Sequence, residues 1–157
     1  MNLFFPKQAN NTITFSKAIF YIFVGITIMT LARSLIHVFA SDGGANSIAT
    51  IITFNGNPDP DLVIYFVFSL WGLSQLLMGL FYVVVLMRYR NLIPLMLILI
   101  WIEYAMRLVI GRILKPLSEV YFIGTAPGEI GNYVFIVVIP LILIWLIFSH
   151  NKHRQPN

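Results

Sequence analysis

The chain contains no cysteine and few charged residues of either sign. Without cysteine it has no disulfide, thiolate nucleophile, cysteine-bound zinc or iron–sulfur cluster. Charged residues make up 10% of the sequence, against about 25% in soluble domains. Hydrophobic residues make up 59% of it, and the mean hydropathy is +0.85. This composition predicts an integral membrane protein, and 157 residues leave room for a single domain.

Four apolar stretches are long enough to cross a membrane as helices. A hydrocarbon core of about 30 Å needs about 20 helical residues, and the stretches run over residues 16–39, 61–87, 92–113 and 127–149. Only residues 88–91 separate the second stretch from the third, so these two helices are expected to be antiparallel neighbours. The sequence predicts an all-α fold, a four-helix transmembrane bundle with two longer loops on one side.

Basic residues are distributed unequally between the two sides of this bundle. The side with both termini and the short connection has no acidic residue and carries Lys7, Lys17, Arg88, Arg90, Lys152 and Arg154. The side with the longer loops has one basic residue, Lys115, and carries Asp42, Asp59, Asp61, Glu119 and Glu129. By the positive-inside rule both termini are predicted to be cytoplasmic, with residues 150–157 as a basic cytoplasmic tail.

The first longer loop, residues 40–60, has apolar residues of its own. Ile48, Ile51 and Ile52 are spaced by three and four positions, which is typical of one face of a helix. The spacing predicts a short interfacial or re-entrant helix, positioned to cover the outer end of the bundle as a lid.

Five polar residues inside the spans are predicted to converge in the outer half of the bilayer. Glu103 and Arg107 lie one helical turn apart in the third span, and each costs several kcal/mol in hydrocarbon unless it is paired and turned inward. Arg33 and His37 share a face of the first span. Gln75 lies near the middle of the second span, among small residues that allow close helix approach. We predict a ligand site made of these five side chains.

Aromatic residues and the start of the fourth span are predicted to complete the site. Trp71, Trp101 and Tyr104 are candidates for aromatic walls. Thr125 is a candidate N-cap, with Pro127 in the first helical turn, so backbone N–H groups there would face an anion. The secondary site residues are Thr30, Trp71, Tyr104, Arg112, Thr125 and Asn132.

The charge count favours an anionic ligand. Arg33 and Arg107 oppose the single intramembrane carboxylate of Glu103, and a positive cavity with low-dielectric walls attracts an anion. Guanidinium groups bind carboxylate or phosphate through two parallel hydrogen bonds. We predict that the protein binds an anionic or amphipathic small molecule, or a lipid, in a polar pocket open to the outer side. Alternatively, Asp59, Asp61 or Glu129 could fold inward and neutralise the excess positive charge without a ligand.

Three alternatives remain open. In the first, the protein is a structural or accessory subunit of a membrane complex, and the charges only stabilise the bundle: Glu103 pairs with Arg107 while Arg33 reaches Gln75. In the second, Glu103 and His37 act as acid and base of an intramembrane enzyme, although no catalytic motif is present. In the third, the chain forms an oligomeric transporter or channel, resembling the small multidrug transporters in size and helix count.

Cofactors, metals and nucleic acid are not expected. Haem needs axial ligands at one depth, but His37 lies near the outer side while His150 and His153 lie at the inner end. The last two histidines flank Lys152, which is typical of a tail that contacts anionic lipid and not of a metal site. The expected partners are membrane lipids, an anionic or amphipathic molecule, and a second copy of the chain or a larger membrane complex.

The sequence resembles a family of small bacterial four-helix membrane proteins of unassigned function in its motifs at 71–75, 102–107 with Gly111 and Lys115-Pro116, and 127–133. The resemblance is carried mainly by residues 61–140. It implies a location in the bacterial inner membrane and no particular activity.

Overall fold

The structure, a computed structural model, describes residues 3–154, with side chains for residues 3–150. Within this range the fold is all-helical, and four helices are each long and apolar enough to cross a membrane, which confirms this part of the prediction. They are α1 (Lys17–Phe39), α2 (Asp61–Arg88), α3 (Ile93–Val109) and α4 (Pro127–Arg154). A 3₁₀ turn and a π-helical turn extend α3 to Arg90–Leu114. Beyond His150, the predicted basic tail lies outside the residues with described side chains.

The bundle has two chemically different ends. We name the end that holds the start of α1 and the short α2–α3 connection the termini end, and the end that holds residues 40–60 and 115–126 the loop end. At the termini end, the Ser16 hydroxyl accepts a hydrogen bond from the Ala18 N–H (3.3 Å) and caps α1. At the loop end, α4 begins at Pro127, so Ala126 holds the cap position and its carbonyl accepts from the Glu129 N–H (2.9 Å). The predicted Thr125 cap is therefore wrong by one residue, because proline suits the first helical position.

The four helices pack as two pairs, α1 with α2 and α3 with α4. An apolar core joins the pairs in the half of the bundle nearest the termini end. The largest fully buried members of this core are Ile19, Phe23, Tyr82, Val85, Ile93, Leu97, Ile139 and Leu146. Toward the loop end the two pairs separate, and polar side chains and cavities replace this core.

Small residues bring α1 and α2 into close contact, as predicted for the small residues around Gln75 in the second span. A Cβ atom on Gly72 would lie 2.5 Å from the Cβ of His37, and one on Gly79 would lie 2.7 Å from Cδ2 of Leu31. Both distances are shorter than ordinary van der Waals contact. At Gly72 the next two close atoms belong to the α1 backbone, whereas at Gly79 the closest atom is the end of the flexible Leu31 side chain, which can rotate away. The close α1–α2 contact therefore depends on the absence of a side chain at Gly72.

The loop at residues 40–60 contains turns where the isoleucine spacing predicts a helix, so that prediction is wrong. Gly43 and Gly44 have φ values of +59° and +76°, and Thr50, between Ile48 and Ile51, has a φ of +57°. A left-handed residue therefore interrupts the segment in which the helix was predicted. The Asp42 carboxylate accepts hydrogen bonds from the N–H groups of Gly44 (2.8 Å), Asn46 (3.1 Å) and Ser47 (2.7 Å). Burial acts to raise the pKa of Asp42, but the N–H groups of Ser47 and Gly44 outweigh it and lower the pKa.

Backbone pairing between the two longer loops connects the helix pairs across the loop end. Ile51 and Phe122 form an antiparallel bridge. The Ile52 N–H donates to the Tyr121 carbonyl (3.1 Å), and the Ile123 N–H donates to the Thr50 carbonyl (2.8 Å). Since these loops follow α1 and α3, the bridge holds together the end at which the pairs separate.

Pro140 interrupts the hydrogen-bond ladder of α4, and Trp101 of α3 repairs it. Proline has no N–H, so the carbonyl four residues earlier, on Ile136, loses its helical partner. The Trp101 indole Nε1–H donates to the Ile136 oxygen (3.2 Å). A lipid environment offers no water for that carbonyl, so this bond stabilises the α3–α4 pair. Trp101 has this role and does not form the aromatic wall that we predicted from the sequence.

Trp101→Phe is expected to lower the free energy of unfolding by about 1–2 kcal/mol, because it leaves a carbonyl unpaired. Pro140→Ala restores an N–H to the helix and should make the Trp101→Phe change nearly neutral. Reversible unfolding in mixed micelles of the two single variants and the double variant measures this coupling. Additive effects of the two substitutions would contradict the assignment.

Candidate functional site

Four of the five predicted site residues form one hydrogen-bonded chain across three helices. Nη2 of Arg33 on α1 donates to Oε1 of Gln75 on α2 (2.6 Å). Nε2 of Gln75 donates to Oε1 of Glu103 on α3 (3.3 Å), and the same carboxylate oxygen pairs with Nη2 of Arg107. Each helix turns these residues inward because an unpaired charge in hydrocarbon is costly. The polar chain (Arg33, Gln75, Glu103 and Arg107) thus links the two helix pairs.

Aromatic rings surround the Arg107 guanidinium. Its central carbon lies 4.9 Å from the Trp71 ring centroid and 5.3 Å from the Tyr104 ring centroid, which allows cation–π attraction. The Arg107 side chain is 19% exposed, whereas that of Glu103 is 41% exposed. The cation is therefore the more enclosed member of the pair and keeps its position largely through packing.

A large cavity opens where the two helix pairs separate. This loop-end cavity has a volume of about 530 Å³ and is lined by residues of α1, α2, α3, α4 and the first loop. Its polar lining includes Arg33, His37, Arg107, Glu129 and Asn132, and the Glu129 carboxylate is paired with Arg112. Its apolar lining includes Met29, Ile36, Ile48, Phe68, Trp71 and Phe135. The volume lies within the range of about 300–1,000 Å³ that is usual for small-molecule sites.

A smaller cavity lies deeper, toward the middle of the bundle. This mid-span cavity, of about 160 Å³, is lined by residues of α1, α2 and α3, including Thr30, Gln75 and Glu103. Arg33, Trp71 and Tyr104 line both cavities and form the wall between them. The polar chain therefore faces a deep cavity through Glu103 and a wide one through Arg107.

His37 is 2% exposed and reaches the loop-end cavity without joining the polar chain. Its Nδ1–H donates to the Gly43 carbonyl (2.7 Å), and its ring centroid lies 4.8 Å from that of Trp71. Because a carbonyl only accepts hydrogen bonds, this contact places the proton of a neutral imidazole on Nδ1. Nε2 is then an acceptor, and it forms no hydrogen bond with the part of the chain that the structure describes.

Two buried polar atoms at the cavity wall have no hydrogen-bond partner among the described residues: Nε of Arg33 and Oδ1 of Asn132. An unsatisfied buried donor or acceptor costs about 1–3 kcal/mol. Both side chains line the loop-end cavity. A ligand group that paired with either atom, after a small rotation of the side chain, would gain this energy on binding.

The charges at the site do not balance within residues 3–150. Asp61 accepts from the Phe54 N–H (3.2 Å), Asp59 accepts from the Asp61 N–H (2.9 Å), and neither pairs with the polar chain. Glu129 pairs with Arg112, which also donates to the Tyr133 hydroxyl (2.9 Å). The polar chain therefore contains two guanidinium groups and one carboxylate: Glu103 pairs with Arg107, Arg33 donates to the neutral Gln75, and one positive charge is left.

The secondary candidates divide between the site and its surroundings. Trp71, Tyr104 and Asn132 line the loop-end cavity, and Thr30 lines the mid-span cavity while donating to the Ile26 carbonyl (2.9 Å). Arg112 and Thr125 lie outside both cavities, at a separate polar surface of the loop end.

Sequence reasoning missed Phe135, which stacks on Tyr104 with a centroid distance of 4.6 Å. Phe135 follows Gly128, Gly131 and Asn132 at helical spacing along the same cavity wall. That spacing was the signal that could have identified it.

The contacts Arg107–Glu103 and Arg33–Gln75 are those that the structural alternative predicts. The excess positive charge and the adjoining cavity are those that the ligand-binding hypothesis predicts. No family model, curated protein or solved structure matches the chain.

Proposed function

We propose that this protein binds an anionic amphipathic molecule in the loop-end cavity of a bacterial inner membrane, with both termini in the cytoplasm. The observation that carries the proposal is one uncompensated positive charge beside an apolar cavity of about 530 Å³. Arg33 and Arg107 would bind the anionic head. The apolar lining would hold the tail.

The electrostatics of the cavity favour the binding of an anion. Coulomb attraction rises as the surrounding dielectric constant falls, so a charge beside aromatic and aliphatic walls acts more strongly than one in water. Arg107 is held by Trp71 and Tyr104, and Arg33 is held by Gln75. Both cations are therefore preorganised, and little side-chain entropy would be lost when a ligand binds.

The shape of the bundle supports an amphipathic ligand in preference to a small hydrophilic anion. The α1 and α4 helices flank the cavity but pack mainly against α2 and α3, respectively. On the α1 side, Met29 and Ile36 are cavity-lining residues that are also exposed on the helix surface. On the α4 side, Gly128 and Gly131 leave open space. An acyl chain could leave the cavity between these two helices and extend into lipid.

Binding is favoured over catalysis by the positions of the proposed acid and base. His37 lines the loop-end cavity, whereas the Glu103 carboxylate faces the mid-span cavity. General acid–base catalysis needs both groups within hydrogen-bond reach of one substrate. The wall formed by Arg33, Trp71 and Tyr104 lies between the two cavities.

Arg33→Gln is expected to weaken the binding of anionic lipid about tenfold, because it removes the excess charge and a charged hydrogen-bond donor. The Glu103–Arg107 pair remains, so thermal stability should change little. Native mass spectrometry of the protein released from mixed-lipid nanodiscs measures the bound anionic lipid. Arg88→Gln removes the same charge from an exposed position at the termini end and is the matched control. Loss of stability with unchanged lipid binding would instead support the structural alternative.

A further inference from the structure

The wall of the loop-end cavity carries hydrogen-bond acceptors as well as cations. Asn132 contributes an amide oxygen that is buried and unpartnered among the described residues. His37 contributes Nε2, which acts as an acceptor because Nδ1–H donates to the Gly43 carbonyl (2.7 Å). Both side chains line the same cavity as Arg33 and Arg107. The cavity thus combines donors suited to an anion with acceptors suited to a hydroxyl or amine.

This combination discriminates between classes of anionic amphipath. An ionised fatty acid has acceptor oxygens but no donor, so it would satisfy the arginines and leave the acceptor atoms Oδ1 of Asn132 and Nε2 of His37 unpaired. A phosphodiester lipid whose headgroup carries hydroxyls offers both kinds of group. Its phosphate also carries one negative charge, which equals the excess charge of the polar chain.

We propose that the ligand is an anionic phospholipid with a hydroxyl-bearing headgroup, of the phosphatidylglycerol type. The inference rests on the proposed function and narrows it. The phosphate binds Arg33 and Arg107, and the headgroup hydroxyls donate to Asn132 Oδ1 and His37 Nε2. The acyl chains leave between α1 and α4, where Gly128 and Gly131 leave space.

A matched pair of lipids tests this assignment. Phosphatidylglycerol and phosphatidylethanol with identical acyl chains both carry one negative charge, but only the first has headgroup hydroxyls. Native mass spectrometry with each lipid, against phosphatidylcholine as the reference, gives relative affinities of the unmodified protein. We expect phosphatidylglycerol to bind about tenfold more tightly than phosphatidylethanol, because a site built to bind a hydroxyl rejects an analogue that lacks it.

Asn132→Leu replaces the amide by an apolar side chain of similar size and should abolish most of this preference while retaining phosphatidylethanol binding. Asn55→Leu, at an exposed position of the first loop, is the control and should keep the preference. An unchanged preference in Asn132→Leu would overturn the role of Asn132. The comparison of the two lipids on the unmodified protein does not depend on how this variant folds.

Failure of this inference is distinguishable from failure of the proposed function. Equal binding of the two anionic lipids, both above phosphatidylcholine, would overturn the hydroxyl-bearing headgroup and leave anion binding intact. Binding of neither anionic lipid above phosphatidylcholine would overturn both proposals. Displacement of phosphatidylglycerol by an equal concentration of soluble glycerol phosphate would show that the acyl chains contribute nothing, and would overturn the assignment to a lipid.

Discussion

Replacing Gly72 by alanine is expected to lower the free energy of unfolding by about 2–3 kcal/mol, through overpacking of the α1–α2 interface. The new Cβ would lie 2.5 Å from the Cβ of His37, 3.0 Å from its carbonyl carbon and 3.1 Å from the Val38 nitrogen. Two of these three atoms belong to the α1 backbone, so no change of rotamer can relieve the contact. The helices must move apart or shift along each other.

Gly25→Ala is the matched control for this experiment. Gly25 is also a helical glycine in a membrane-spanning segment, but a Cβ there would meet nothing within 4 Å. Since alanine is a better helix former than glycine by about 1 kcal/mol, this variant should be no less stable than the unmodified protein. Steric-trapping or detergent-titration unfolding of the two variants in the same micelles makes the comparison. Equal stabilities would contradict the close α1–α2 contact.

Glu103→Gln is expected to produce the second large effect, a loss of about 3 kcal/mol in the free energy of unfolding. Breaking a buried ion pair by removing one partner costs about 3–5 kcal/mol, because the remaining charge is left without compensation. The partial exposure of Glu103, 41%, places the expected value at the lower end. The double substitution of Glu103 and Arg107 by glutamine should recover part of this loss.

The same variant should bind anionic lipid more tightly than the unmodified protein, since both guanidinium groups of the polar chain then lack a carboxylate. The opposite signs of the two effects separate ligand binding from the purely structural alternative, which predicts the loss of stability alone. Glu129→Gln is the control for stability, because its partner Arg112 is 60% exposed against 19% for Arg107, and the exposed pair should contribute less than about 1 kcal/mol. Glu129 also lines the loop-end cavity, so this variant serves the stability measurement alone. If Glu103→Gln left the stability unchanged, this result would contradict the assignment that the Glu103–Arg107 ion pair stabilises the bundle.

Local chemistry made much of the fold and of the polar chain predictable. The four spans follow from the length and apolarity of each segment. The high cost of a charge in hydrocarbon predicts that Arg33, Glu103 and Arg107 face inward, and the structure brings them together through Gln75. These inferences need no knowledge of which helices pack together.

Features that depend on helix packing or on loop conformation were not predictable in the same way. The separation of the two pairs, and hence the loop-end cavity, results from contacts between distant segments. Isoleucine spacing predicted a helix near Ile48. The spacing carries no information on the Asp42 carboxylate or on the positive φ angles at Gly43 and Gly44, which organise turns in this loop. Trp101 was misassigned because its partner is a carbonyl freed by a proline on another helix.

The wall between the two cavities has a kinetic consequence. Arg33, Trp71 and Tyr104 line both spaces. Exposed side chains change rotamer in picoseconds to nanoseconds, far faster than collective helix motions, but Tyr104 is 4% exposed and stacks on Phe135, whereas Trp71 is 36% exposed. Movement of the Trp71 ring would therefore time the passage of a water molecule between the cavities, with Tyr104 as the fixed part of the wall.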